Sequence, residues 1–114
     1  MINDWLEKFK TAWINKDLDE IIALFSDNVE YFESPFWRLD GKQQIREAWE
    51  EIKQQENIEI DFELFSTSGN KHVVKWKLSF LADNKRYNYS GVYLITLDDL
   101  GKCSYFYQCS ACKE

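Results

Sequence analysis

The alternation of apolar and polar positions changes its period near the middle of the chain. In the first half, apolar residues recur every three or four positions, which is typical of amphipathic helices. In the second half they alternate one by one with polar residues, which is typical of strands with one buried face. The pattern therefore predicts a mainly helical first half and a sheet-forming second half.

Three helices are predicted. The first spans Asp4–Asn15, the second begins at Asp17 and the third begins at Asp40. Each opens with an aspartate followed three positions later by Glu or Gln, which is the spacing of a capping box. The buried stripe of the second helix is expected to reach Phe25, and the polar run 26–28 is expected to end that helix.

Five strands are predicted. A short strand, Val29–Glu33, ends before Pro35, and an aromatic loop is expected to follow it. An antiparallel meander of four strands then covers Ile58–Leu64, Val74–Phe80, Arg86–Leu97 and Cys103–Ser110. Gly91 inside a strand predicts a bulge or a close backbone approach. The predicted fold is α+β in the order α-α-β-α-β-β-β-β, with three N-terminal helices packed on a curved, mainly antiparallel sheet.

Length and charge limit the classes of function. A chain of 114 residues suits a single domain spanning residues 1–114. The net charge of −6 disfavours nucleic acid and anionic membrane surfaces as partners. The N-terminal segment has the pattern of an amphipathic helix and not of a signal peptide, so a cytoplasmic location is expected.

The cysteines and the single histidine give little support for metal or redox chemistry. Cys109 and Cys112 have the C-x-x-C spacing, but a zinc site needs four ligands and a redox pair normally sits at the start of a helix. We expect these residues and Cys103 to be free thiols, with no metal and no cofactor. His72 follows a Gly-Asn-Lys turn and is expected at the surface.

The segment Asp17–Trp49 resembles the opening of the nuclear-transport-factor-2-like superfamily, which includes the SnoaL-like polyketide cyclases and the steroid isomerases. The resemblance rests on a short capped helix, the run LFSDNV at 24–29, a strand that ends at Pro35, and G-x-x-x-I from Gly41 to Ile45. It implies a cone-shaped fold with a pocket between the helices and the sheet. It also implies pairing of two chains through the outer sheet face.

The strand Arg86–Leu97 fits that implied pairing because it is apolar on both faces. Tyr93 and Ile95 lie on one face, and Val92 and Leu94 lie on the other. A sheet with two apolar faces needs a second cover, and a second copy of the chain would supply it. We therefore expect a homodimer.

The steroid isomerases of this superfamily carry an oxyanion-stabilising tyrosine on the opening helix and a basic aspartate just before the proline. The matching positions in this chain are Phe9 and either Glu33 or Ser34, and the second acid of those enzymes falls near Tyr93. Phe9 has no hydroxyl group, so the resemblance does not imply steroid-type isomerisation. It leaves Glu33 as a carboxylate at the expected mouth of the pocket.

Glu33 is the candidate catalytic acid or base, because aromatic neighbours in sequence would reduce the hydration of its carboxylate. Tyr31 shares its strand parity and is the candidate hydrogen-bond donor. The alternative is that Glu33 is a partly solvated acid at a strand end. Aromatic residues make up 17% of the chain, which suggests an aromatic core or an aromatic-lined cavity. The predicted ligand-binding pocket contains Phe9, Trp13, Trp37, Trp49, Trp76, Tyr93 and Gln108.

Three functions remain open at this point. The first is a SnoaL-like domain that binds a small apolar metabolite. The second is a cofactor-independent isomerase, cyclase or dehydratase that uses Glu33 as its acid or base. The third is a protein-interaction module. A solvent-sealed pocket with converging Glu and Tyr groups would favour the enzyme, and a collapsed pocket filled by rings would favour the interaction module.

Overall fold

The chain folds into helices packed against one face of a six-stranded sheet. A computed structural model describes residues 1–113. The helices are α1 (Ile2–Ile14), α2 (Leu18–Ile22) and α3 (Gly41–Trp49), and α3 continues directly into the 3₁₀ segment Glu50–Gln54. The strands are β1 (Phe25–Ser34), β2 (Trp37–Leu39), β3 (Glu56–Ser68), β4 (Lys71–Ala82), β5 (Lys85–Leu97) and β6 (Cys103–Lys113). Within residues 1–113, none of the helices combines the length and the apolar character needed to cross a membrane.

The strands are arranged in the order β2-β1-β6-β5-β4-β3. Strands β3 to β6 form the predicted antiparallel meander. The last strand, β6, also pairs with β1 in parallel, so β6 lies between β1 and β5. The predicted α+β class and the mainly antiparallel sheet are therefore confirmed.

The segment predicted as an aromatic loop contains the strand β2, so that prediction is wrong. This strand pairs antiparallel with β1 and places Tyr31 opposite Leu39. Pro35 occupies the turn of the hairpin, where no backbone N–H is needed for the ladder. Leu39 is buried and anchors the short strand against the core.

The boundary between α2 and β1 lies earlier in the chain than the sequence predicts. Asp17 caps α2 as expected, and its carboxylate accepts a hydrogen bond from the backbone N–H of Glu20 at 3.1 Å. The helix nevertheless ends at Ile22, and Phe25 begins β1. The polar run 26–28 lies in the irregular part of the β1–β6 pairing. Packing of the buried Phe25 ring against rings of α1 decides its placement in the sheet.

The starts of α1 and α3 also differ in detail from the capping-box pattern. The helix α1 begins at Ile2 instead of Asp4. At the start of α3, the side chain that reaches back is Gln44 and not Gln43. Its Oε1 accepts a hydrogen bond from the backbone N–H of Asp40 at 2.8 Å.

The core next to α1 is built from aromatic rings. Phe9 of α1 is fully buried, and its ring centroid lies within 6.5 Å of seven other ring centroids. These seven rings belong to Trp5, Trp13, Phe25, Trp49, Phe62, Tyr93 and Phe106. Edge-to-face and stacked pairs of this kind each contribute about 0.5–1.5 kcal/mol beyond the area that they bury. Rings therefore fill this half of the interior.

Gly91 marks a close approach of three strands and not a bulge. The pairing of β5 with both neighbours runs without a register shift through Gly91, which lies opposite Trp76 and Ser110. A Cβ atom at this position would lie 2.9 Å from Cζ2 of Trp76 and 2.7 Å from Cβ of Ser110. The glycine therefore allows the indole of Trp76 to lie directly over the backbone of β5.

Candidate functional site

A cavity of about 330 Å³ lies between the inner face of the sheet and the helical side formed by α3 and the 3₁₀ segment. Small-molecule sites typically enclose roughly 300–1,000 Å³. The helical wall includes Trp13, Ala48, Trp49, Glu51 and Ile52. The sheet wall includes Tyr31, Glu33, Trp76, Leu78, Tyr89 and Gln108. The lining is mostly aromatic and aliphatic, with a few polar groups among the rings.

Six of the nine residues that the sequence predicts for the site line this cavity. They come from five different elements, because the inner face of β1, β4 and β6 meets α1 and α3 here. The six are Trp13, Tyr31, Glu33, Trp49, Trp76 and Gln108.

The other three predicted residues, Phe9, Tyr93 and Trp37, do not line the cavity. Phe9 and Tyr93 have no exposed surface and belong to the aromatic core around α1. Tyr93 lies against Trp76, with 5.0 Å between the ring centroids. Trp37 adjoins the β1–β2 turn at the edge of the sheet and is 62% exposed. Shared sequence pattern therefore does not separate core rings from cavity rings.

A hydrogen bond joins Tyr31 and Trp49 in the cavity wall. The indole Nε1 of Trp49 donates to Oη of Tyr31 at 2.9 Å, and both side chains are buried. Burial raises the pKa of Tyr31 strongly; the Trp49 hydrogen bond opposes that rise, and the negative charge of Glu33 adds to it. The hydroxyl group therefore keeps its proton, which remains available to an acceptor other than Trp49.

The indole of Trp13 forms a second hydrogen bond in the helical wall of the cavity. The Nε1 of Trp13 donates to Oε1 of Gln55 at 3.0 Å, and Gln55 is buried. Gln55 directly follows the 3₁₀ segment, so this bond holds that segment against α1. The wall is thus held by side-chain hydrogen bonds at both of its aromatic positions.

Glu51 is an acidic residue of the cavity that the sequence pattern does not predict. It lies in the 3₁₀ segment and contributes to the cavity lining, although its side chain also reaches solvent. Burial raises the pKa of Glu51, and the negative charge of Glu33 raises it further. A signal for this residue exists in the sequence, because Glu51 lies one turn after Ala48 and next to Ile52 on the predicted apolar stripe.

The two rings that follow Glu33 in sequence, Phe36 and Trp37, do not shield it. Phe36 is fully exposed in the turn of the β1–β2 hairpin, and Trp37, the first residue of β2, is largely exposed beside it. Glu33 itself is half-buried and faces the cavity. The expected shielding by sequence neighbours is therefore wrong, and the surroundings of Glu33 are set by the cavity walls.

The C-x-x-C pair lies on β6, where residues three apart point to opposite faces of the sheet. Cys109 pairs with Val92, and Cys112 pairs with Tyr89. The two sulfur atoms therefore cannot approach one ion from the same side. Within residues 1–113, no group of three or more His, Cys, Asp or Glu residues is placed to hold a metal ion.

His72 is buried, so its predicted surface position is wrong. It is only 7% exposed, because it occupies an inward-facing position of β4, two residues before the buried Val74. Its Nδ1 shares a hydrogen bond of 2.9 Å with Oγ1 of Thr67 on β3. Burial lowers the pKa of His72, and the charge of the N-terminal ammonium group lowers it further. His72 does not contribute to the cavity.

Comparison with known protein families gives one match. The family model described as a SnoaL-like domain matches residues 6–106. The match covers most of the chain and includes both sides of the cavity. No curated protein matches the sequence significantly.

Several solved structures share the fold. An LEH-like epoxide hydrolase from M. tuberculosis has a TM-score of 0.77 and 17% identity, over 95% of this chain and 80% of the other. The epoxide hydrolase/cyclase-like enzyme SalBIII, with a role in pyran ring formation in salinomycin, has a TM-score of 0.81 and 17% identity, over 96% and 89%. An NTF2-like protein of unknown function from an Exiguobacterium species has a TM-score of 0.77 and 16% identity, over 94% and 98%. At this level of identity the likeness establishes the fold alone.

Proposed function

The chain belongs to the SnoaL-like domain family, and we propose that it binds a small, largely apolar molecule in the cavity beside α3. The observation that carries this proposal is a cavity of about 330 Å³ whose aromatic walls include a few polar groups. Apolar walls supply affinity by burying the ligand, and the polar groups fix its orientation. The polar side chains are Tyr31, Glu33, Glu51 and Gln108.

The distribution of rings supports ligand binding over a protein-interaction module. The rings that pack around Phe9 fill the interior next to α1. The interior next to α3 holds the cavity instead. An interior filled by rings throughout would favour the interaction module.

The test uses an uncharged apolar probe, 2-isopropenylnaphthalene, titrated into the ¹⁵N-labelled protein. We expect saturable shifts of the indole N–H resonances of Trp13 and Trp49, since both line the cavity. Ala48→Trp should abolish these shifts, because Ala48 lines the cavity and a larger side chain would fill it. Ala23→Trp, at an exposed position after α2, is the matched control. Absence of saturable shifts in the unmodified protein, or equal shifts in Ala48→Trp, would contradict the proposal.

A second candidate function is proton transfer to or from the bound molecule. It is favoured by the two carboxyl groups that line one cavity, because burial raises the pKa of Glu51 and the negative charge of Glu33 raises it further. Paired carboxyl groups with different proton affinities are a common source of a general base and a general acid. Glu51 would act as the proton donor, Glu33 as the base and Tyr31 as a hydrogen-bond donor. The epoxide hydrolase and the hydrolase/cyclase-like enzyme among the structural neighbours support this chemistry by analogy of fold.

The catalytic candidate is tested with 1-phenylpropylene oxide, an uncharged aryl epoxide, by chromatography of the diol formed when water opens the ring. Diol formation by the unmodified protein should be lost in Glu33→Gln and in Glu51→Gln. Each substitution keeps the shape of the side chain and removes its titratable proton. Glu63→Gln, on an exposed carboxylate outside the cavity lining, should retain activity. Absence of diol, or diol formation that survives both cavity substitutions, would remove this candidate.

A further inference from the structure

Two hydrogen-bond donors in the interior have no acceptor. The indole Nε1 of Trp76 and the hydroxyl of Tyr93 are buried, and no group within residues 1–113 forms a hydrogen bond with either. Buried polar groups in folded proteins are almost always paired, so each exception needs an explanation.

The other buried tryptophans show that this fold normally pairs its indoles. Trp5 donates to the backbone oxygen of Leu24 at 3.0 Å. Trp13 and Trp49 donate to side-chain oxygens at 3.0 Å and 2.9 Å. Trp76 is the exception, although it is as deeply buried as they are.

The residue with the unpaired indole belongs to the cavity wall. Trp76 is part of the cavity lining and is only 4% exposed. Its ring is stacked on Tyr93 with an interplanar angle of 18°. Its six-membered ring also lies over the backbone at Gly91, where a Cβ atom would collide with it. The position of the donor is therefore fixed by rigid neighbours, which is the arrangement expected of a group that orients a ligand.

We infer that the ligand carries a hydrogen-bond acceptor oxygen on an otherwise apolar body, and that Trp76 Nε1–H donates to it. This inference rests on the proposed function, because it names the class of molecule that the cavity takes. An indole N–H is a neutral donor that can serve a ketone, ether, epoxide or ester oxygen.

The charges in the cavity favour a neutral acceptor over a carboxylate. Glu33 and Glu51 both line the same cavity. Neither forms a salt bridge within residues 1–113, so no ion pair neutralises the charge that would repel an anionic ligand. A neutral oxygen accepts from the indole N–H without that repulsion.

The experiment compares two probes of the same shape, 2-acetylnaphthalene and 2-isopropenylnaphthalene, which differ in a C=O and a C=CH₂ group. We expect the ketone to bind about tenfold more tightly, which corresponds to about 1.4 kcal/mol. Only the ketone should move the indole proton of Trp76 downfield, and Trp76→Phe identifies that resonance. The exposed Trp37 gives an internal reference that neither probe should move.

Two variants test the contribution of the Trp76 donor separately from that of the cavity. Trp76→Phe should abolish the preference for the ketone, whereas Tyr93→Phe should retain it, because Tyr93 lies beneath Trp76 and does not line the cavity. Trp37→Phe should change neither result. Equal affinity for the two probes, with the Trp76 proton unmoved by the ketone, would overturn this inference and leave the proposed function intact. Failure of both probes to bind would overturn the proposed function and this inference together.

Discussion

The indole of Trp49 donates a 2.9 Å hydrogen bond to the hydroxyl oxygen of Tyr31 in the wall of the cavity. Tyr93 is equally buried, but its hydroxyl has no partner within residues 1–113. The two tyrosines therefore differ in what their hydroxyl groups contribute to folding. Substitution by Phe should therefore change the stability by different amounts at the two positions.

Tyr31→Phe should destabilise the protein by about 1–3 kcal/mol, because it leaves the buried Nε1 of Trp49 without an acceptor. Tyr93→Phe should be neutral or slightly stabilising, because it removes a buried hydroxyl group that pairs with nothing in the protein. Urea unfolding followed by circular dichroism measures both changes. Equal losses at the two positions would contradict the assignment of these hydrogen bonds.

Glu33→Gln should lower the pKa of Glu51, because the negative charge of Glu33 contributes to raising it. The pKa should remain above its usual range, since burial is the larger cause. Carboxyl ¹³C resonances followed over a pH titration report this value directly. Glu63→Gln is the control, and an unchanged pKa of Glu51 after Glu33→Gln would show that the two groups are not coupled.

His72 should make the protein sensitive to acid. Burial lowers the pKa of His72, so the folded state binds the proton less readily than the unfolded state. Its contribution to stability is present above the unfolded pKa and is lost as the pH falls through the folded pKa. The stability advantage of the unmodified protein over His72→Gln should therefore shrink between about pH 7.5 and about pH 5. Urea midpoints at the two pH values test this, and a constant difference would rule it out.

Gly91→Ala should destabilise the protein by about 1–3 kcal/mol, the usual range for overpacking. The added Cβ would meet Trp76 and Ser110 at distances that require the strands to move. Asn88→Ala, at an exposed position of the same strand, is the control and should be close to neutral. Thermal unfolding distinguishes them, and equal melting temperatures would mean that the sheet yields freely at this point.

We propose that two copies of the chain pair through the outer sheet face. Leu94 is 38% exposed there, and it lies beside Val73 and Tyr105 in a shallow apolar depression. Leu94→Glu should convert a dimer to a monomer in sedimentation velocity, because it would bury a charge at the centre of the contact. Leu100→Glu, on the exposed β5–β6 loop, should leave the dimer intact. A monomer at high micromolar concentration in the unmodified protein would contradict the proposal.

The meander of four strands is predictable because its alternation is local. Each strand carries its buried face in its own sequence, and positive φ at Gly101 matches the predicted hairpin loop. The placement of Phe25 in a strand is not predictable in this way. Its spacing from Ile21 suits a helix, but rings of α1 hold it in β1. Contacts between distant segments decide such boundaries.

The candidate site is predictable in part for a related reason. Strand parity correctly places Tyr31 beside Glu33 on the cavity face. Parity cannot tell that Tyr93 lies beneath Trp76 and not beside it, because depth depends on how the rings stack. The place of Glu51 in the cavity is not predictable, because an acidic residue beside an apolar stripe is usually solvated. Its place in the cavity depends on the 3₁₀ segment that continues α3.

The parallel pairing of β1 with β6 has a kinetic consequence. Phe25 lies opposite Cys103, so two segments from the two ends of the sequence must meet before the sheet is complete. Folds dominated by such non-local pairings have high contact order and fold slowly, because loop closure precedes any stabilising contact. The helices and the meander can form from local contacts, whereas β1 has only the three-residue β2 as a neighbour until β6 arrives. Pairing of β1 with β6 is therefore the step expected to limit the rate of folding.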